Sequence, residues 1–209
     1  MKICTVIVTR SKSCSVKTLH AILKLNIHCL QNNVQNEIVY VNDDPFEKIA
    51  MIEHCLPKCD RIFFIDFGIG VDEESIEQVF KDYEGIGCLV FPGVKEGIDW
   101  GLFRHKVKEG STEPVSQMGL TFDTEVGKEV SKNIYTVTST QAKCWVMYSK
   151  NTMKNTKDRK GNWSLHVKMF DKLKEHEVKI YAFTAAKLTM TYSHECISNI
   201  LNAAGVKTN

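Results

Sequence analysis

The stretch "CDRIFFIDFGIGVDEESIEQVF", residues 59 to 80, joins an apolar run to a single carboxylate, Asp66, followed by Phe67, Gly68, an acidic cluster and a helical pattern. The run Arg61-Ile62-Phe63-Phe64-Ile65 has no polar alternation beyond its first residue. Such a segment suits a strand covered on both faces, as in a parallel sheet with helices above and below. In open α/β sheets, ligands lie beyond the carboxyl ends of the strands, so Asp66 stands where a binding residue would stand.

The sequence on either side follows the same plan. "ICTVIV" (3 to 8) is a β-branched first strand, followed by a polar loop, "TRSKSCS". A helix comes next, with its apolar stripe expected at Val16, Leu19, Leu23, Ile27 and Leu30. "EIVYV" (37 to 41) is a second strand that runs into Asn42-Asp43-Asp44 and stops at Pro45. Phe46 to Leu56 forms a helix and "RIFFI" the third strand. Asp72 is placed as a helix N-cap, with Glu73 and Glu74 at the positive helix end and Ile76, Val79, Phe80 and Tyr83 on the apolar face. "GCLVFPG" (87 to 93) is a fourth strand, whereas residues 94 to 133 read as a Gly-rich, mixed-charge loop. "IYTVTSTQAKCWVMYSK" has strand character, Leu165, Met169 and Leu173 mark a helix, and "KIYAF" and "KLTMTYS" are late strands. This alternation predicts an α/β fold, a mostly parallel or mixed central sheet flanked by helices.

Composition narrows the classes. The 209 residues suffice for one domain, and 43% hydrophobic and 25% charged residues are ordinary for a globular chain. A net charge of +2 argues against nucleic-acid binding through bulk electrostatics. No apolar run approaches a membrane span, and "MKICTVIVTR" is too short for a signal peptide. The eight cysteines form no CxxC and are expected as reduced thiols in a cytoplasmic protein. Cys55 and Cys59 sit four apart without a partner pair that would complete a zinc site.

Three strand ends carry polar residues of note: Thr9-Arg10, Asn42-Asp43-Asp44 and Asp66. Any one alone reads as a turn or a cap. All three on one edge point to a site. "VIVTRSKSCSVKTLHAILKLN", "EIVYVNDD" and "RIFFIDFGIGVDEESIEQVF" together resemble the nucleotide-binding half of GT-A glycosyltransferases, small viral members of the chlorella-virus kind being the nearest compact example. The resemblance implies a single GT-A-like domain over 1–209, with a nucleotide-binding half at about 1–93 and an acceptor-side half at about 94–209. It implies transfer of a sugar from a UDP-sugar to a glycan or glycoprotein hydroxyl, in the host cytoplasm for a viral protein. Mn²⁺ or Mg²⁺ would bind the diphosphate and stabilise the leaving charge. By the same resemblance Asp66 is a catalytic metal ligand and His194, in "TYSHE", a late one; imidazole suits Mn²⁺. Asp43 or Asp44 would accept from the uracil N3–H or a ribose hydroxyl, Thr9 would meet the base through its backbone, and Arg10 would lie near the nucleotide.

The chain also departs from the family pattern. Gly68 stands where the second Asp of Asp-X-Asp belongs, so Asp72 either reaches back to the metal or caps its helix. The acidic pair that serves inverting members as base is replaced by Gly161-Asn162, leaving Asp158 and Asp99 as base candidates by proximity in sequence. Trp100 and Trp163 lie in polar surroundings where an indole could stack on a sugar ring, while Trp145 lies in a strand pattern that reads as core. Two other readings compete. "FIDFGIG" also resembles the first motif of S-adenosylmethionine methyltransferases, although it follows the third strand and "GCLVFPG" lacks a terminal acidic residue. A GT-A-like domain without the second Asp could also bind a nucleotide or glycan without catalysis.

Overall fold

A computed structural model of the chain describes residues 1–156 and 164–190. Asp158, Gly161-Asn162, Trp163 and His194 lie outside the described residues. The regular first half contains β1 (Lys2–Thr9), α1 (Val16–Gln31), β2 (Gln35–Asn42), α2 (Pro45–Cys55), β3 (Arg61–Ile65), β4 (Ile69–Gly70), α3 (Glu73–Gln78) and β5 (Ile86–Val90). Then follow α4 (Trp100–Lys108), β6 (Thr124–Ser131), β7 (Ile134–Thr140), β8 (Cys144–Tyr148), α5 (Ser149–Thr156), α6 (Met169–Glu175), β9 (Lys179–Phe183) and β10 (Thr189–Met190).

The main sheet has the order β2-β1-β3-β8-β5-β9-β7-β6, and β4 pairs with β10 in a small second sheet. β1 runs parallel to β2 and β3, β5 runs parallel to β9, and β8 lies antiparallel between β3 and β5. The sheet is therefore mixed. A late strand completes its centre, and the carboxyl ends of β1, β2, β3 and β5 share one edge with the start of β8.

Alternation along the strands feeds two cores. Ile3, Ile7, Phe63, Ile65, Leu89 and Val146 pack with α1 and α3 on one face. Cys4, Val6, Ile62, Phe64, Val90, Trp145 and Met147 pack with α2 and α6 on the other. Trp145 stacks face to face on Phe64 at 4.7 Å, which fulfils the expectation of a core indole. β3 opens on a buried arginine because Arg61 donates to the Lys81 carbonyl (2.9 Å) and lies over the Tyr148 ring, closing the end of α3 over the sheet.

α1 presents a different face from the one its large residues predict. Thr18, Ala21, Ile22, Leu25 and Cys29 are buried, while Val16, Leu19, Leu23, Ile27 and Leu30 are between 45% and 80% exposed. Two stripes of this helix are apolar. The one with small residues, Thr18 and Ala21, lets the helix axis approach the sheet, and close packing favours it over bulk. The stretch 94 to 133 likewise holds more structure than its sequence shows: α4, one short 3-10 turn at Val115–Gln117 and β6. α4 buries only Phe103 and β6 only Thr124, so neither shows a periodic stripe. No helix among the described residues is long and apolar enough to cross a membrane.

Candidate functional site

The three strand ends meet. Arg10 Nε donates to Asp43 Oδ2 at 2.6 Å, Lys48 from α2 bonds Asp43 Oδ1, and Lys48 Nζ lies 3.6 Å from Asp66 Oδ1. The Arg10 guanidinium also covers the Phe67 ring at 5.2 Å. Burial works to raise the Asp43 carboxyl, but the bonds from Lys48 and Arg10 outweigh it and hold this group below the usual carboxylate range. Thr9 is built into the edge rather than pointing from it: its carbonyl accepts from Asp43 N–H (3.0 Å) and its hydroxyl donates to the Val41 carbonyl (3.1 Å).

Asp44, the alternative to Asp43 at this edge, has a structural task. It is the N-cap of α2, where Oδ1 accepts from the backbone N–H of Phe46 and of Glu47, each at 2.9 Å. Asp99 does the same for α4, accepting from Leu102 N–H at 2.9 Å. Asp72 precedes α3, but its carboxylate accepts from the Ser75 hydroxyl and from Lys187 N–H (3.1 Å) instead of capping the first turn. It lines a separate cavity of about 390 Å³ with Lys17, His20 and Lys187. Trp100 packs edge-on against Phe103 at the start of α4 and is 37% exposed.

Asp66 leaves β3 with its N–H donating to the Lys143 carbonyl (2.9 Å) and its Oδ1 accepting from Phe67 N–H (2.8 Å). Gly68 then turns the chain at φ 79°, into β4. A left-handed turn is most easily made by glycine, which accounts locally for the missing second carboxylate. The glycine turn leads to a strand pairing with β10, not to a helix N-terminus, so it lacks the cradle by which a Gly-rich turn holds a cofactor anion.

Asp66 lines a cavity of about 640 Å³ floored by Phe64 and Trp145, with Lys48, Lys95, Lys143 and Lys168 on its walls. A second carboxylate in it, Asp123, was not marked by sequence reasoning. It is 6% exposed. Its Oδ1 accepts from Gly93 N–H (3.1 Å) and from the Thr124 hydroxyl (2.8 Å), and its Oδ2 is buried without a partner among the described residues. Burial pushes the Asp123 carboxyl up, against the pull of Thr124, Gly93, Lys143 and Lys95. The buried Cys144 thiol at the start of β8 is raised first by burial and then by the charges of Asp123, Asp66 and Asp72. Nothing in the local sequence "TFDTEV" flags Asp123; its only signal is an acidic residue between β-formers in a stretch that reads as loop.

Among the described residues no three His, Cys, Asp or Glu side chains converge as a metal cluster. Asp66 offers a cation its second carboxylate oxygen, since Oδ1 is engaged by Phe67 and faces Lys48. The fit to a divalent ion is thus one carboxylate, with phosphate and water left to complete the shell.

No family model matches this sequence, and no curated protein matches it. Among solved structures, GalNAc-T7 with UDP, GalNAc and Mn²⁺ is similar over 93% of this chain at a TM-score of 0.50 and 12% identity. The chain spans 44% of that protein's length. A variant of Drosophila β1,4-galactosyltransferase 7 in complex with manganese, UDP-Gal and xylobiose aligns over all of this chain and 80% of its own, at 9% identity and a TM-score of 0.47. With the sheet order and helical layers above, the chain has the GT-A fold.

Proposed function

We propose that this chain is a glycosyltransferase that moves a sugar from a UDP-sugar to a hydroxyl of a glycan or glycoprotein. One observation carries the reading. The Arg10–Asp43–Lys48–Asp66 network joins three strand ends at the ligand-binding edge of a GT-A fold, and Asp66 opens from it into a cavity large enough for a sugar. The solved structure of similar fold holds UDP, GalNAc and Mn²⁺, which supports the same ligand class here.

In this reading Asp43 accepts hydrogen bonds from the nucleoside, and Arg10 flanks it. Lys48, placed between Asp43 and Asp66, offers its charge to the diphosphate. Asp66 holds Mn²⁺ or Mg²⁺, with His194 as a further ligand and Asp72 as a lesser candidate. The bound ion would supply charge stabilisation for the departing diphosphate. Phe64 and Trp145 form an apolar floor suited to the C–H face of a sugar.

Thermal-shift measurements with UDP, GDP, CMP and S-adenosylmethionine, with and without Mn²⁺, test the proposal. A native-state ligand raises Tm, by about 2.7 kcal/mol of stabilisation at a hundred times its Kd. UDP is expected to stabilise the chain most, and more with Mn²⁺ than without. Stabilisation by S-adenosylmethionine and not by UDP would overturn it in favour of a methyltransferase.

A further inference from the structure

We infer that Asp123 receives the proton of the acceptor hydroxyl, which makes this chain an inverting transferase. The inference rests on the glycosyl-transfer reading above and adds the base that the sequence does not name.

The two oxygens of Asp123 are unequally satisfied. Buried carboxylate oxygens are normally satisfied, because an orphaned acceptor loses its hydration without return. Asp123 Oδ2 is buried and has no partner among the described residues, although Oδ1 of the same group accepts twice. The side chain is held firmly. Thr124 and Thr140 bond each other at 2.8 Å beneath it, Asp123 N–H donates to the Gly93 carbonyl (2.9 Å), and Gln141 N–H donates to the Asp123 carbonyl (2.8 Å). A rigid carboxylate that lines a cavity with one oxygen unused is ready for a donor that arrives with a ligand.

The other carboxylates of the site are committed elsewhere. Asp43 is paired with Arg10 and Lys48, Asp66 bonds Phe67 N–H and faces Lys48, and Asp99 caps α4. Asp171 lines the same cavity, but it is solvent-exposed in the first turn of α6 and, among the described residues, is not held in place by a buried network. Burial raises the Asp123 carboxyl, which strengthens it as a proton acceptor, and Thr124, Gly93, Lys143 and Lys95 counter that rise and favour its ionised form. Gly93 leaves the space beside Oδ2 unfilled: a Cβ there would stand 3.1 Å from Oδ2 and 3.0 Å from the Met190 sulfur.

The step is a single displacement. The acceptor oxygen forms a bond to the anomeric carbon as the bond from that carbon to the diphosphate breaks, and the electron pair leaves with the diphosphate. The hydroxyl proton passes to Asp123 Oδ2. Attack on the face opposite the leaving group inverts the anomeric configuration.

The test uses the full chain with UDP-glucose, UDP-galactose and UDP-N-acetylglucosamine, Mn²⁺, and either water or simple methyl glycosides as acceptor. UDP release, UDP binding and the anomer formed are measured. Asp123→Asn is expected to lower turnover about 10²- to 10⁴-fold, the usual share of a general base, while UDP affinity stays within about twofold. Its turnover should also lose the acidic limb of the wild-type pH profile. Gly93→Ala, which keeps the carboxylate but crowds Oδ2, should lower turnover in the same direction. An Asp123→Asn protein that keeps more than a tenth of wild-type turnover, or a product of retained configuration, overturns the inference alone. A wild-type chain that neither binds UDP nor releases it from any donor overturns the transfer reading, and the inference with it.

Discussion

Two groups of carboxylates meet in one site and are treated in opposite ways. At the ends of β1, β2 and β3, Asp43 and Asp66 are met by Arg10, Lys48 and a backbone N–H, so their charge is compensated before any ligand arrives. Asp123, in the same cavity as Asp66, is more deeply buried than Asp43 and, among the described residues, has no ion pair and keeps one oxygen without a hydrogen-bond partner. Compensated carboxylates fix the shape of a binding edge. One that is only partly compensated holds a proton more tightly, because desolvation outweighs the donors around it.

The largest effect that sharpens this contrast is on donor binding. Asp66→Ala is expected to abolish Mn²⁺-dependent stabilisation by UDP and leave the circular-dichroism spectrum unchanged, since the side chain lies at a strand mouth. A variant that fails to fold would make Asp66 a structural acceptor instead. Lys48→Met comes next, because it leaves Asp43 and Asp66 facing each other without their shared cation. Asp43 is held low in the fold, so the stability that it contributes is present above its unfolded pKa of about 3.9 and is lost as pH falls through its folded value. The Tm loss of Lys48→Met should therefore be larger at pH 7 than at pH 3. An equal loss at both would mean that Lys48 stabilises through packing of its stem.

Asp44→Ala and Asp99→Ala probe the carboxylates to which the structure gives a capping task. Each is expected to cost about 1 kcal/mol in chemical denaturation and to leave UDP affinity and turnover unchanged. A tenfold loss of turnover in Asp99→Ala would return that residue to the list of bases. The smallest effect concerns pH and Asp123. Its carboxyl is raised in the fold, so the folded state binds more protons than the unfolded one, and stability falls as pH rises from the unfolded value toward the folded one. Asp123→Asn removes that charge while keeping an acceptor for Gly93 and Thr124. Its Tm should match or exceed wild type at pH 7, with the difference shrinking as pH falls. A variant clearly less stable than wild type at pH 7 would show that the ionised carboxylate stabilises the fold.

How much of this was legible depends on how local each signal is. β3 and β9 appear in the sequence to the residue, because a short apolar run between polar turns reads as a strand, buried throughout in β3 and at Ile180, Ala182 and Phe183 in β9. Arg10, Asp43 and Asp66 were legible as neighbours at one sheet edge because each stands within two residues of the end of such a run, and the structure joins them through Lys48. α1 was legible as a helix but not in its orientation: Leu23→Ala is expected to change stability by less than about 0.5 kcal/mol, whereas Leu25→Ala should cost about 2–5 kcal/mol. Both residues are leucines. Only the packing of Ala21 and Thr18 against the sheet tells them apart.

By itself, then, the sequence determined the α/β class, the buried strands of the first half and the row of polar residues at their carboxyl ends. Periodicity and the Gly, Pro and Asp that punctuate it act over a few residues, and the chain spells them out. The tertiary structure decided the rest. It set β8 antiparallel between β3 and β5, bringing Lys143 and Trp145 to Asp66 from some eighty residues away. It turned Asp44 and Asp99 into caps and folded Asp123 beneath Gly93 with one oxygen unpaired. Strand partners and burial are non-local: they follow from which surfaces exclude water together, and no window of the sequence contains both surfaces.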